Sequence, residues 1–213
     1  HLRKGIHWQD ISPANGREFV ADDVVFHFNR LYGLGGGFTK PSPFHEAVNA
    51  FQDLISVIAS DRYTVIFKFK SSNPEFIMES LHEVNLGLNL ENPDAVKKWG
   101  DVRDWRHAIG TGPYILKDFV PNSSALLIKN TNYWGYDERY PQNKLPYIDT
   151  IKYLMIPDDT TALAAMCMGK IDIIDCVSPV QAKAIRKTNP EILQILTPLP
   201  PTVSLDPRID VSG

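Results

Sequence analysis

The spacing of apolar positions changes repeatedly along the chain, and each change marks an element. From Ala21 to Tyr32, Val24, Val25, Phe28, Leu31 and Tyr32 fall on one helical face, with Asp22 and Asp23 near the positive helix start. Asn15-Gly16 marks a turn before this helix. Gly33 and Gly35-Gly-Gly37 end it and open a loop through Pro41 and Pro43 towards a helix predicted around His45 to Phe51. Leu54 to Ala59 and Tyr63 to Lys70 flank Ser60-Asp-Arg62, and the second run alternates Tyr63, Val65, Phe67 and Phe69 against Thr64, Ile66, Lys68 and Lys70. That period of two predicts an antiparallel hairpin with one wet face.

Asn followed by Pro, an N-cap with a first helical residue of preset φ, occurs at Asn73-Pro74 and Asn92-Pro93. It predicts helices running to about Leu81 and to about Gly100. Val84 to Leu90 between them suits a short strand or an extended crossing segment. Tyr114 to Val120, Pro121-Asn-Ser-Ser124 and Ala125 to Lys129 predict a second hairpin, and Tyr147 to Ile156 a further strand. Asp158 caps a predicted helix from Asp159 to Met168, Gly169 stops it, and Ile171 to Cys176 follows as strand. Ser178-Pro179 starts a helix through about Lys187 that Asn189-Pro190 ends. Ile192 to Leu196 is the last predicted strand before Pro198, Pro200 and Pro201. The order predicts a mixed α/β fold.

Composition narrows the function classes. The 213 residues are 43% hydrophobic and 22% charged, the balance of a chain that buries a core. Its 22 basic and 25 acidic residues are mixed along the chain for a net charge of -3, so no basic stripe is available for nucleic acid. The longest apolar run, Ala162 to Met168, is far short of the ~20 residues of a membrane-spanning helix. Cys167 and Cys176 provide neither a disulfide framework nor a zinc site and are expected to be buried free thiols. The chain opens on His1 with no leader pattern, and it is expected to be an internal piece of a longer protein.

The candidate chemistry is sparse. Gly110 and Gly112, in the run Ile109-Gly-Thr-Gly-Pro-Tyr114, supply unusual backbone angles where a loop enters a strand. A phosphate loop would need a Lys-Ser/Thr pair and a following helix, which this run lacks. Tyr133 and Trp134, between Asn132 and Gly135, are expected to pack as an aromatic plug. His7 with Asp10, and His27 with Asn29 or Arg30, lack metal-ligand spacing and further ligands. No G-x-S-x-G elbow, HExxH helix or S-x-x-K run occurs. The expectation is no metal, no cofactor and no catalytic residue.

Several segments taken together resemble the extracellular solute-binding proteins of ABC importers, in the dipeptide, oligopeptide and nickel class. Leu2-Arg-Lys-Gly-Ile-His-Trp8 is similar to that family's LRxGxxW motif, and Gly16-Arg-Glu-Phe-Val-Ala-Asp-Asp-Val-Val-Phe26 to its G-x-x-F-T-A-D-D-V-x-F helix start. Ile109 to Tyr114, Asn132-Tyr-Trp-Gly135, the strand from Ile148 with Pro157-Asp158, and Met168-Gly-Lys-Ile-Asp172 follow in the family's order. Two departures stand out. Val20 replaces the usual Thr N-cap, a loss of ~1 kcal/mol partly offset by Asp22 and Asp23. Ser12-Pro-Ala-Asn15 lengthens a surface turn, which is cheap.

The resemblance implies a type II periplasmic-binding-protein-like fold. The chain would be a piece of its N-terminal lobe with mixed sheets and antiparallel hairpins: residues 1–108 an inserted subdomain, 109–197 the lobe core, and 198–213 the start of a hinge to a second lobe. It implies a component that captures a peptide or similar small solute and delivers it to a membrane ABC permease, in the periplasm or outside the cell, lipid-anchored through a further N-terminal segment. A ligand-sensing regulatory module on the same fold is the alternative. In peptide-binding members the ligand lies extended between two lobes, and the acidic residue meeting its amino group lies in the second lobe. Here the expected cleft-facing residues are His82, Glu83, Val84 and Asn85, with Phe44 and Phe51. A chain cut at the hinge is also expected to expose an apolar patch or to pair with a second copy.

Overall fold

The computed structural model describes residues 1–42, 53–72, 90–175 and 177–195, which fall into two compact units dividing after Leu154. In the first unit, helix α1 (Ala21–Tyr32) forms over the predicted range. Val24, Phe28 and Leu31 are buried, with Val25 and Tyr32 packed at the margin of the core. Val20 at the N-cap offers no hydroxyl, but the Asp23 carboxylate accepts its backbone N–H at 3.0 Å, restoring half of a capping box. The helix stops at Gly33, whose φ of 65° is left-handed and whose N–H donates back to the Asn29 carbonyl. A Cβ at Gly33 would stand 2.6 Å from the Lys40 carbonyl carbon, so the chain's return past this point needs glycine.

α1 lies on the hairpin of β1 (Leu54–Asp61) and β2 (Thr64–Phe69), which pair antiparallel with Val57 opposite Phe67 and Ala59 opposite Val65. The alternation read from the sequence holds. Val65, Phe67 and Phe69 pack against the core while Ile66 and Lys68 face outward. Phe28 meets Phe67 edge-on at 4.9 Å between ring centroids. At the hairpin tip the Arg62 carbonyl accepts from the Ala21 amide at 2.9 Å, tying the turn to the helix start. Helix α2 (Pro93–Trp99) is capped as expected, its Asn92 side-chain oxygen accepting from the Ala95 amide at 2.9 Å.

β3 (Tyr114–Val120), β4 (Ser124–Lys129) and β5 (Thr150–Leu154) form an antiparallel sheet in that order. Leu116 pairs with Leu127 and Leu126 with Lys152, and an irregularity at Lys117 bends β3. β5 is shorter than the predicted Tyr147–Ile156, because beyond Leu154 no residue pairs with β4. The short 3-10 turn Trp105–His107 has no counterpart among the predicted elements.

In the second unit, helix α3 (Asp159–Cys167) starts where the Asp158 carboxylate accepts from the Thr161 amide at 2.7 Å. Helix α4 (Pro179–Thr188) begins at a capping box between Ser178 and Gln181. The strands expected at Ile171–Cys176 and Ile192–Leu196 are absent over 171–175 and 192–195, which have no partner strand among the described residues. Extended backbone without a ladder leaves its polar groups to water, and Ile173, Leu193 and Ile195 are accordingly exposed. Cys167 is free but half-buried rather than buried, since this unit's described core is little more than Ala162 and Ile185. Cys176, the helices expected at His45–Phe51 and Asn73–Leu81, and the extended segment expected at Val84–Leu90, save Leu90, lie outside the described residues.

Candidate functional site

The run from Ile109 to Tyr114 is held by two buried amides that look like surface residues in the sequence. The Gln9 side chain accepts from the Gly110 amide at 3.1 Å and donates to the Tyr114 carbonyl at 2.7 Å, while its backbone N–H donates to the Gly110 carbonyl at 2.9 Å. Asn130 works from the other side, its Nδ2 donating to the Gly112 carbonyl at 3.0 Å and its backbone N–H to the Pro113 carbonyl at 2.8 Å. Both side chains are buried and each makes one donated and one accepted hydrogen bond where water cannot compete, which makes them a rigid clamp. The chain then continues as β3, the opposite of a phosphate-loop arrangement.

A cavity of about 700 Å3 opens beside this loop, walled by Leu2, Ile6, Ile109, Leu116 and Leu127, with Trp8 also lining it. Some of its polar neighbours are engaged within the fold and others are not. Arg3 lies over the Trp134 ring, 4.8 Å from the centroid, and Glu91 pairs with Arg30. Asn92 uses its oxygen as the α2 cap. Asn92 Nδ2 and His107 Nδ1 are buried and unpartnered among the described residues. His107 stacks flat on Trp99 at 4.1 Å.

Trp8 is positioned by a charged hub. Its indole N–H donates to Asp23 Oδ2 at 3.1 Å; Arg17 donates to both Asp23 oxygens at 2.9 and 2.7 Å, and to Asp94 at 2.5 Å. Arg17 thus joins α1 to α2, and the two carboxylates, Asp23 foremost, raise its pKa. Nearby, burial with help from Arg30 lowers the His27 pKa to about 4, so the imidazole is neutral. Hydrogen bonds from Arg62, from the Gly5 amide and from Tyr63 hold Glu18 at about 2. These groups brace structure.

Tyr133 and Trp134 pack as a plug. Their rings lie 5.1 Å apart, and a Cβ on Gly135 would come within 2.5 Å of the Tyr133 ring. His82, Glu83, Val84, Asn85, Phe44 and Phe51, expected to face a cleft, all lie outside the described residues. No cluster of three His, Cys, Asp or Glu side chains suited to a metal occurs among the described residues. Gln9, Asn130 and the Arg17–Asp23–Asp94 hub were not singled out from the sequence as a constellation. Gln9 follows Trp8 directly, but Asn130 lies 18 residues from the Gly112 it holds, so sequence position gives no sign of the clamp.

The hairpins, the capped helices and the clamped glycine loop make up a mixed α/β fold. The chain belongs to the bacterial extracellular solute-binding proteins, family 5, whose middle-region model matches residues 1–204. It is 26% identical over 195 residues to the dipeptide-binding protein of Escherichia coli (strain K12), covering 88% of this chain and 35% of that protein. It is 33% identical over 179 residues to the nickel-binding periplasmic protein of the same organism, covering 82% and 31%. Among solved structures, the ABC transporter-associated periplasmic binding protein DppA from Helicobacter pylori, in complex with peptide STSA, matches with a TM-score of 0.67 at 24% identity. That match covers 88% of this chain and 36% of the other, and at that identity it is a likeness of fold. The chain spans about a third of the length of the curated relatives it matches.

Proposed function

We propose that this chain is part of a solute-binding component of an ABC importer, which captures a peptide or similar small solute in the periplasm or outside the cell and hands it to a membrane permease. The observation that carries the reading is the family match along residues 1–204. Relatives named for a dipeptide and for nickel support a role in capture, with chemistry left to other proteins. A binder of this kind works by population shift: only contacts made in the closed state and lost in the open one drive closure, so the solute must touch two lobes. In this reading residues 1–108 are an inserted subdomain and 109–197 the core of one lobe, with 198–213 leading to a hinge. His82, Glu83, Val84, Asn85, Phe44 and Phe51 contribute from this side of the cleft.

Native mass spectrometry of the longer protein that carries this chain, purified gently from its source, tests the proposal. A peptide-sized adduct that is lost on denaturation and absent from residues 1–213 alone is the expected result. An adduct held equally by the 213-residue chain would overturn the placement of the solute between two lobes. Catalytic conversion of an added peptide would overturn the binding-only role.

A further inference from the structure

We infer that His27 is an acid-operated latch: its neutral ring holds the Glu91 amide against α1, and a proton on Nδ1 releases it, so that acid opens one of two ties between α1 and the chain entering α2. From the proposed function the inference takes only its setting outside the cytoplasm, where the medium sets the pH.

The geometry fixes the tautomer. Glu91 donates its backbone N–H to His27 Nδ1 at 3.3 Å, so that nitrogen presents a lone pair and the ring hydrogen of the neutral form sits on Nε2. Nε2 is buried and has no partner among the described residues. Opening gives this N–H to water, which narrows the gap between the latched and released states. A proton on Nδ1 acts in the same direction. It sets two N–H groups face to face and places a second cation near Arg30, one turn further along α1. Among the described residues the one carboxylate paired with the ring is that of Glu91, whose Oε2 lies 3.8 Å from Nδ1 and is already held by Arg30. For that oxygen to take the new proton Glu91 must shift, and the shift breaks the amide bond.

No other charged group on the surrounding elements takes part. Asp23, one turn earlier on α1, spends its oxygens on Trp8, Arg17 and the Val20 amide. On α2, Asp94 is held by Arg17, and the Lys97 ammonium lies over the Phe26 ring, 5.6 Å from its centroid. The β1–β2 hairpin meets α1 with Leu54, Val57 and Phe67. Arg17, between Asp23 and Asp94, is the second tie between α1 and α2 and contains no imidazole. In mild acid one tie lets go while the other stays, so the joint loosens at the Glu91 end without coming apart.

Hydrogen exchange at the Glu91 amide, read by fragmentation mass spectrometry on the longer protein that carries this chain, tests the latch. With the ring at about 4 in place and 6.5 when released, protection corrected for the intrinsic rate should fall about twentyfold between pH 7 and pH 5. At pH 5 it should be insensitive to urea below the unfolding transition, because local release exposes little surface. In His27→Gln, whose side-chain carbonyl can accept from the same amide at either pH, the fall should be absent. Three results would overturn the inference: flat protection in the wild type, an equal fall in His27→Gln, or Glu91 exchange that follows urea as the β1–β2 ladder amides do, which would reduce the effect to global unfolding. The urea comparison needs no variant, so it decides the matter even where His27→Gln misfolds. Exchange is read without solute, so failure of the functional reading and failure of the latch are separate outcomes.

Discussion

Replacing Asp23 by Ala removes one carboxylate and three separate supports. The Trp8 indole N–H, in a residue only 2% exposed, loses its acceptor, and an orphaned buried donor costs about 1–3 kcal/mol. The Val20 amide loses the bond that stands in for a cap, about 1 kcal/mol. Arg17 loses the partner that takes two of its hydrogen bonds but keeps Asp94, and because its side chain is 35% exposed that part is worth about 0.5–1 kcal/mol. Shared geometry makes such losses less than additive, and Asp23→Ala is expected to destabilise by about 3 kcal/mol. The assay is urea unfolding followed by tryptophan fluorescence, which reports on the first unit because Trp8, Trp99, Trp105 and Trp134 all precede Met155. Asp94→Ala, which leaves the Asp23 pair intact, should cost less than about 1 kcal/mol. A loss below about 1 kcal/mol for Asp23→Ala, or equal losses for the two variants, would refute the reasoning.

Three further outcomes follow from the same structure. His27 is held at about 4 against 6.5 for the free group, so the unfolded chain takes up the proton first. This contribution is complete above about pH 6.5 and is lost as pH falls towards 4, by about 3 kcal/mol; His27→Gln should lose that much less between pH 7 and pH 4, and parallel declines in chemical denaturation would count against it. Val20→Thr should gain about 0.5–1 kcal/mol by supplying the missing cap hydroxyl, read as a higher urea midpoint with unchanged slope. Gly33→Ala meets backbone at 2.6 Å whereas Gly5→Ala meets nothing within 4 Å, although both have positive φ; the first should cost about 2–3 kcal/mol and the second about 1, and equal losses in thermal melts would show that the contact with Lys40 does not matter.

What could be read from the sequence was whatever local chemistry decides. α1, α2, α3 and α4 each begin at a capping or helix-start signal and end close to the expected residue, because a cap, a preset proline φ and a glycine stop act within a few positions. The β1–β2 alternation was equally visible, since a half-buried hairpin carries its own period. Ile171–Asp175 shows the limit: apolar and β-prone, it stays irregular because strand identity belongs to a pair and the described residues hold no partner. Asp23 was legible as a charge near a helix dipole but not as the hub joining Trp8, Arg17 and the Val20 amide, a role that depends on residues brought together by the fold. Gln9 and Asn130 were missed for the same reason, as an amide's sequence neighbours do not reveal that it is buried.

The clamp on the glycine loop also sets a timetable. Gln9 finds its side-chain partners at Gly110 and Tyr114, 101 and 105 residues later, so the clamp cannot form until that stretch exists. At ribosomal speeds of about 5–20 residues per second, that is an interval of roughly 5–20 s. Throughout it the Gln9 side chain lacks both of its loop partners, at the stage of a nascent chain's life when holding chaperones compete with folding.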